Sequence, residues 1–308
     1  MSTVLLDEYH ALLVAAEESS GDSNSNSNAL DIATLSWSNS DNAQPPPITS
    51  SDTLVVVDMQ HDFLPGGAFG VDEGDATIEG ICELIQKFHN AGATVIATRD
   101  YHPKDHCSFD THGGPFPPHC IMGTRGSFLH PRIAETLEPL LLLGEEDSNN
   151  KRAHVVYKGF YKGVESFGGF QYKASNDEWK KRLSYLSDDA VEWTGAWALK
   201  AANIGKDANA SPDVMSILDK KPCSDLLPEG GRVFCCGLAY DYCVMDTAVN
   251  FVQTVVDFDD NKCFMVQDLT RAARIPGIGA FGSGFLTDPS VLLEGLTANK
   301  IGLVRFVD

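Results

Sequence analysis

Basic residues are scarce in this chain: 23 Lys and Arg stand against 43 Asp and Glu in 308 residues, a formal net charge of -20. That balance argues against nucleic acid or an anionic membrane surface as a partner and leaves a small neutral molecule as the favoured ligand class. Uninterrupted apolar runs long enough to span a bilayer are missing, and the opening MSTVLLDEYH has no basic stretch leading into an apolar core. A soluble chain without a membrane partner is therefore expected. The eight cysteines are scattered and form no C-x-x-C pair. Neither a disulfide scaffold nor a zinc ribbon is indicated, and a reducing, cytoplasmic compartment is the expectation. G-x-S-x-G and H-E-x-x-H spellings are absent as well, so any hydrolytic or metal site must be assembled from dispersed residues.

What is present suits one elaborated α/β domain. Residues 3–18 (TVLLDEYHALLVAAEE) carry leucines at helical spacing, and 19–52 is polar and low in complexity around a short apolar patch. Residues 1–51 therefore read as an N-terminal helix and linker, and 52–308 as the main domain. Within it, apolar runs at 53–57, 94–97, 154–157, 232–236, 263–266 and 301–307 have the continuous character of strands buried on both faces, which predicts a six-stranded, mainly parallel sheet. Amphipathic helices are expected at 76–90 and from 244 to 255, giving a three-layer α/β/α fold. The connection 171–230 reads as a helical insertion, with Trp193 and Trp197 one turn apart in a helix-forming stretch over 190–202 and further helix starts at 187–189 and 211–212. The two tryptophans suit the insertion's own core, a pocket or a second subunit, so a homo-oligomer stays open.

The stretch RVFCCGLAYDYCVMDTA, residues 232–248, runs strand, Gly237, short turn, helix. It delivers Cys243 to a helix N-terminus, where the dipole and unpaired N–H groups favour thiolate over thiol. Parallel sheets bind ligands at the carboxyl ends of their strands. Asp58, Asp100 and Lys158 each end an apolar run, so a proton acceptor, a cation and a thiol converge there. A lone aspartate or lysine after a strand is usually a solvated loop residue, and a lone cysteine a buried hydrophobe; the joint placement carries the inference. After the second strand, RDYHPKDHCSF and PFPPHC place Asp100, His102, His106 and His119 close in sequence. One carboxylate with two imidazoles suits a divalent ion such as zinc, iron or manganese.

The motifs DTLVVVDMQHDFLPGG, TRDYHPKDHCSF, PPHC, VYKG and GLAYDYCV, in this order, resemble the nicotinamidases of the isochorismatase-like cysteine hydrolase family. The likeness spans 52–163 and 232 to the end. It implies Asp58, Lys158 and Cys243 as catalytic triad and Asp100, His102 and His119 as ligands of one divalent metal, most often zinc, with His106 at a position that contributes in only some members. It also implies a cis Leu238–Ala239 peptide and an oxyanion hole from the Ala239 and Cys243 N–H groups. Phe63 and Phe116 would pack against the substrate ring, and the activity implied is hydrolysis of nicotinamide to nicotinic acid and ammonia through a thioester in NAD salvage. Phe116 stands where many members have Trp, and YKGVESFGGF departs from the usual pattern after the lysine, leaving Glu165 either exposed or shaping specificity. The rival expectations are a carbamoyl or ureido amidohydrolase, which generally lacks the metal motif, a catalytically silent binding module, and a redox-sensing thiol protein at Cys235 and Cys236.

Overall fold

In a computed structural model, residues 47–142, 152–173, 193–199, 220–256, 262–273, 292, 295–296 and 298–306 are described. The expected helix at 3–18, the linker up to residue 46 and the helix starts at 187–189 and 211–212 lie outside them. Six of the strands match the apolar runs: β1 (Thr53–Val57), β2 (Thr94–Asp100), β3 (Ala153–Lys158), β6 (Val233–Leu238), β7 (Cys263–Arg271) and β8 (Gly302–Val304). These six are parallel, in the order β3-β2-β1-β6-β7-β8. Two short strands, β4 (Trp197–Leu199) and β5 (Lys220–Pro222), add antiparallel pairs beyond β3.

The sheet therefore has eight strands among the described residues, and the inserted segment is not wholly helical. Trp197, expected on a helix, pairs with Tyr157 and Pro222 instead. Helix propensity is a weak local preference, and here the open edge of β3 supplies backbone partners that override it.

Alternation along β1 builds the layers. Leu54 and Val56 face one core, shared with Ile81, Leu84, Ile85 and Phe88 of helix α1 (Ile78–Asn90) and with Ile133 and Leu137 of α2 (Pro131–Leu142). Val55 and Val57 face the other, against Met245, Ala248, Phe251 and Val252 of α3 (Met245–Thr254). Side chains on successive strand residues point to opposite faces, so one apolar run feeds two cores. Helix α2 was not expected; Pro131 at its first position, where no N–H partner is needed, is the sequence signal for it. Among the described residues no helix is long and apolar enough to cross a membrane.

Candidate active site

The carboxyl ends of β1, β2, β3 and β6 meet at one point, as the register requires: Asp100 at the end of β2 pairs with Lys158 at the end of β3. Asp58, immediately past β1, takes a left-handed conformation (φ 48°). That geometry is uncommon for a residue with a side chain and turns the carboxyl out of the strand's alternation. Its backbone N–H donates to Thr98 Oγ1 at 3.2 Å, and the Thr98 hydroxyl donates to Asp58 Oδ1 at 2.7 Å. Gly237 in β6 (φ 107°) has no room for a Cβ, which would fall 2.1 Å from the Val57 carbonyl oxygen. The two strands thus close tightly before the chain turns through a cis Leu238–Ala239 bond.

The turn then enters a π-helical segment, Tyr240–Val244, and continues as α3. Cys243 lies inside that wide first turn, which begins at Tyr240, four residues before the helix start expected at Val244. Its Sγ is 3.6 Å from Lys158 Nζ. The ammonium also donates to Asp100 Oδ1 and, at 3.2 Å, to the Ser166 carbonyl oxygen, and it stands 2.8 Å from Asp58 Oδ2. That last contact is an ion pair, and it sets Asp58 Oδ2 next to both the ammonium and the thiol. An acceptor oxygen is therefore available beside the thiol.

Electrostatics correct one expectation. Burial pushes the Cys243 thiol well above its usual range; Lys158 opposes this, but the Asp58 and Asp100 carboxylates add to it. A helix N-terminus alone favours thiolate, but a dry pocket shared with two carboxylates wins. Burial likewise raises Asp58, to about 6, with Lys158 lowering and Asp100 raising it. Burial would lower Lys158, yet Asp100 and Asp58 hold it well above its ordinary value and keep it charged. Asp100 shows the reverse balance: burial raises it, and Lys158 with the neighbouring histidines more than offsets that, leaving it below the ordinary carboxylate range.

The expected metal donors gather on the far side of Asp100. Ligand atoms of Asp100, His102 and His119 all lie within 4.8 Å of one another. Nδ1 of His102 is 2.9 Å from the Gly159 carbonyl oxygen and Nδ1 of His119 is 2.8 Å from that of Pro117. A carbonyl only accepts, so both rings carry a proton on Nδ1, which leaves Nε2 as the atom turned towards Asp100. Those Nε2 atoms are 3.5 and 3.8 Å from Asp100 Oδ2, and that of His102 is buried without a hydrogen-bond partner among the described residues. Two imidazoles and a carboxylate, each fixed by a backbone acceptor or an ion pair behind it, fit a divalent cation. Burial would lower the His102 pKa, but Glu165 and Asp100 hold it above the ordinary value, the pull that a bound cation would replace. Gly159 (φ 61°) is part of the cradle: a Cβ there would sit 2.4 Å from the His102 ring.

His106 stacks on His102 with ring centroids 4.1 Å apart. Its Nε2 lies 3.0 Å from the Val164 carbonyl oxygen and its Nδ1 2.7 Å from the Ser108 hydroxyl. Both nitrogens are engaged, and burial together with His102 lowers its pKa to about 4, so His106 is a neutral backing for the cluster in this arrangement.

The cleft above Cys243 holds about 420 Å³ of space including its open mouth. Phe63 and Phe116 do line it; Phe69, Phe167 and Tyr242 also do and carried no sequence signal except the position of Tyr242 beside the nucleophile. Phe116 meets Phe69 and Phe167 edge-on, with centroids 5.8 Å away in each case, and Phe63 lies 5.5 Å from the His119 ring. Such a wall receives one flat ring. Glu165 is not exposed: it is 2% accessible, lines the same cleft, and accepts from the Ser166 N–H at 2.6 Å.

Comparison with known proteins points the same way. Residues 52–140 match the model of the isochorismatase domain. The nicotinamidase of Escherichia coli is 32% identical over 188 residues, covering 52% of this chain and 80% of that protein. The nicotinamidase/pyrazinamidase of Mycobacterium tuberculosis is 33% identical over 124 residues, 38% of this chain and 56% of that protein. The crystal structure of PnC1 from L. infantum in complex with nicotinate superposes with a TM-score of 0.51 at 26% identity, over 84% of this chain and 96% of its own. By its motifs, its sheet order and these relatives, the chain belongs to the isochorismatase-like hydrolase family.

Proposed function

We propose that this protein is a nicotinamidase, hydrolysing nicotinamide to nicotinic acid and ammonia in NAD salvage. The observation that carries the reading is the Lys158 ammonium held between Asp58 and Asp100 with the Cys243 sulfur at 3.6 Å, beside a three-donor cluster that shares Asp100.

Cys243 Sγ attacks the carboxamide carbon while Asp58 Oδ2 takes the thiol proton, so no free thiolate need accumulate in the dry pocket. Lys158 stays charged and offsets the negative charge on sulfur and carboxylates through the step. The Ala239 and Cys243 N–H groups receive the developing oxyanion. Asp58 then returns its proton to the departing nitrogen, which leaves as ammonia, and the acyl group remains as a thioester. Asp58 next accepts a proton from water, hydroxide adds to the thioester, and that proton goes to the leaving sulfur, releasing nicotinic acid and restoring the thiol. Asp100, His102 and His119 would hold one divalent ion, zinc, iron or manganese, which when bound supplies a Lewis-acidic anchor for a ring nitrogen. Phe63 and Phe116 hold the ring edge-on, so the carboxamide is presented to Cys243 in one orientation. The eight cysteines are free thiols, the state that a reducing compartment such as the cytoplasm maintains, which supports that location.

Ammonia release from nicotinamide by the metal-loaded protein and by Cys243→Ala tests the reading. Turnover by the wild type with loss in the variant is expected; a wild type inert on nicotinamide yet active on a ureido compound would replace it with the rival amidohydrolase.

A further inference from the structure

Lys158 has a third acceptor outside the triad, the Ser166 carbonyl oxygen at 3.2 Å. Ser166 belongs to the loop 165–172, and that loop is tied down from two directions. The Ser166 hydroxyl donates to the Gly168 carbonyl at 3.0 Å and accepts the Gly195 N–H at 2.7 Å. Gly195 lies in the inserted segment, whose Ala196 N–H donates to Gly169 O at 2.9 Å and whose Thr194 hydroxyl accepts the Tyr172 N–H at 3.1 Å. On the other side, the loop is fastened to the nucleophile's own helix. The Tyr172 hydroxyl accepts the Phe167 and Gly168 N–H groups at 3.2 and 3.3 Å and donates to Asp246 Oδ2 at 2.5 Å. Thr247 Oγ1 accepts the Gly169 N–H at 2.9 Å and donates to the Cys243 carbonyl at 2.6 Å.

The side-chain bonds among them are buried, and taken together they chain the lysine's acceptor, through the loop and Thr247, to the residue carrying the sulfur. We propose that Tyr172 and Thr247 are positioning residues: they lock the loop 165–172 between the insertion and helix α3, so that Ser166 O and Cys243 Sγ hold Lys158 in place together. Without that lock Ser166 O drifts, and the ammonium turns onto Asp58 and Asp100, which bind it more strongly, leaving the sulfur without its cation. Buried side-chain bonds of this kind contribute through geometry more than through gross stability.

The inference rests on the cysteine-hydrolase reading of the site, but its test does not depend on the substrate. The full chain and its variants are alkylated with iodoacetamide at one fixed pH, and the modification rate of Cys243 is followed by peptide mass, beside kcat and KM for nicotinamide. Tyr172→Phe and Thr247→Val are each expected to slow alkylation and kcat by about tenfold with KM within about twofold, the loss of one buried hydrogen bond's worth of alignment. Thr247→Ser, which keeps the hydroxyl, is expected to restore both to within about threefold. Folded variants that alkylate at the wild-type rate, a rate that rises because the loop merely shields the sulfur, or a Thr247→Ser as slow as Thr247→Val would each overturn the proposal. If Tyr172→Phe does not fold, the Thr247 pair decides alone. A wild type without nicotinamide turnover that shows the same alkylation pattern would sink the substrate assignment and leave this inference standing.

Discussion

Asp100 serves Lys158 with one oxygen and the histidine cluster with the other: Oδ1 accepts from Lys158 Nζ, while Oδ2 faces His102 Nε2 at 3.5 Å and His119 Nε2 at 3.8 Å. A single carboxylate therefore joins the proposed acyl-transfer residues to the candidate metal donors, and the two halves should separate on mutation. His119→Ala should lower metal affinity by at least about tenfold, with excess metal recovering part of the turnover. Asp100→Asn should stay down in kcat by about a hundredfold even at saturating metal, because Lys158 has lost an ionised partner. Metal content by mass spectrometry alongside kcat distinguishes them, and equal rescue of both variants by metal would mean that the Asp100–Lys158 bond is unimportant.

On the proposed mechanism, Asp58 sets the acid limb of activity. It must be ionised to take the thiol proton, and burial places its pKa at about 6. Below that value kcat/KM should fall by about tenfold per pH unit. The stability consequence has the opposite sign. A carboxyl whose folded pKa is raised favours the folded state while protonated; that contribution is full below the unfolded value and is lost as pH rises through about 6. Asp58→Asn, permanently neutral, should therefore raise stability at pH 7.5 by about 1–3 kcal/mol while cutting kcat by about 10²–10⁴-fold. Thermal melts at pH 4 and 7.5 check the sign; a variant less stable than wild type at the higher pH would show that the Lys158 pairing outweighs burial.

The aromatic wall should govern KM. Phe116 and Phe167 pack edge-on at 5.8 Å in the cleft that also holds Cys243 and Asp100. Truncating either to Ala removes ring contact without touching proton transfer, so KM for nicotinamide should rise by about tenfold or more with kcat within about threefold. Phe116→Trp, restoring the residue common in relatives of this pattern, should leave both constants within about threefold. A collapse of kcat in Phe116→Ala would place that ring in orientation of the scissile bond and not merely in binding.

How far the sequence reached depended on which physics was local. Buried parallel strands read as apolar runs, so Asp58, Asp100 and Lys158 stood out as the polar residues ending them. The three-layer fold followed, since Leu54 and Val56 against Val55 and Val57 encode two cores in one strand. Trp197 was placed on a helix because the pairing that recruits it to β4 lies in β3, 40 residues earlier in the chain. Cys243 was read as acidic from its helix terminus, whereas its actual environment is set by burial and by Asp58 and Asp100, which are distant in sequence. Tyr172 had no signal at all: its buried bond to Asp246 exists only once the loop folds back onto α3. For Glu165 the sequence left exposure and a role in specificity both open, and its burial in the cleft follows from tertiary packing.

The N-terminal border of the hydrolase domain can be tested at finer resolution than residue 52. Arg232 at the start of β6 grips Asp52 through Nε at 2.9 Å and Nη2 at 2.6 Å, and its Nη2 also donates to the Pro47 carbonyl at 3.0 Å. The Thr49 N–H donates to Asp52 Oδ2 at 2.7 Å, and Ile48 packs against the core. Residues 47–51 thus belong to the domain, and removing 1–46 should leave kcat within about twofold and the melting temperature nearly unchanged. Removing 1–51 should cost about 1–2 kcal/mol, since it strips a donor from a buried carboxylate and one acceptor from its arginine. Burial would raise Asp52, but the bonds from Arg232 and Thr49 hold it below the ordinary value. Their stabilisation is present above the unfolded carboxyl pKa and fades as pH falls through the folded one. The gap between the two truncations should therefore be widest near neutrality and narrow below about pH 4, which melts across that range would reveal; a gap independent of pH would assign the loss to Ile48 packing alone.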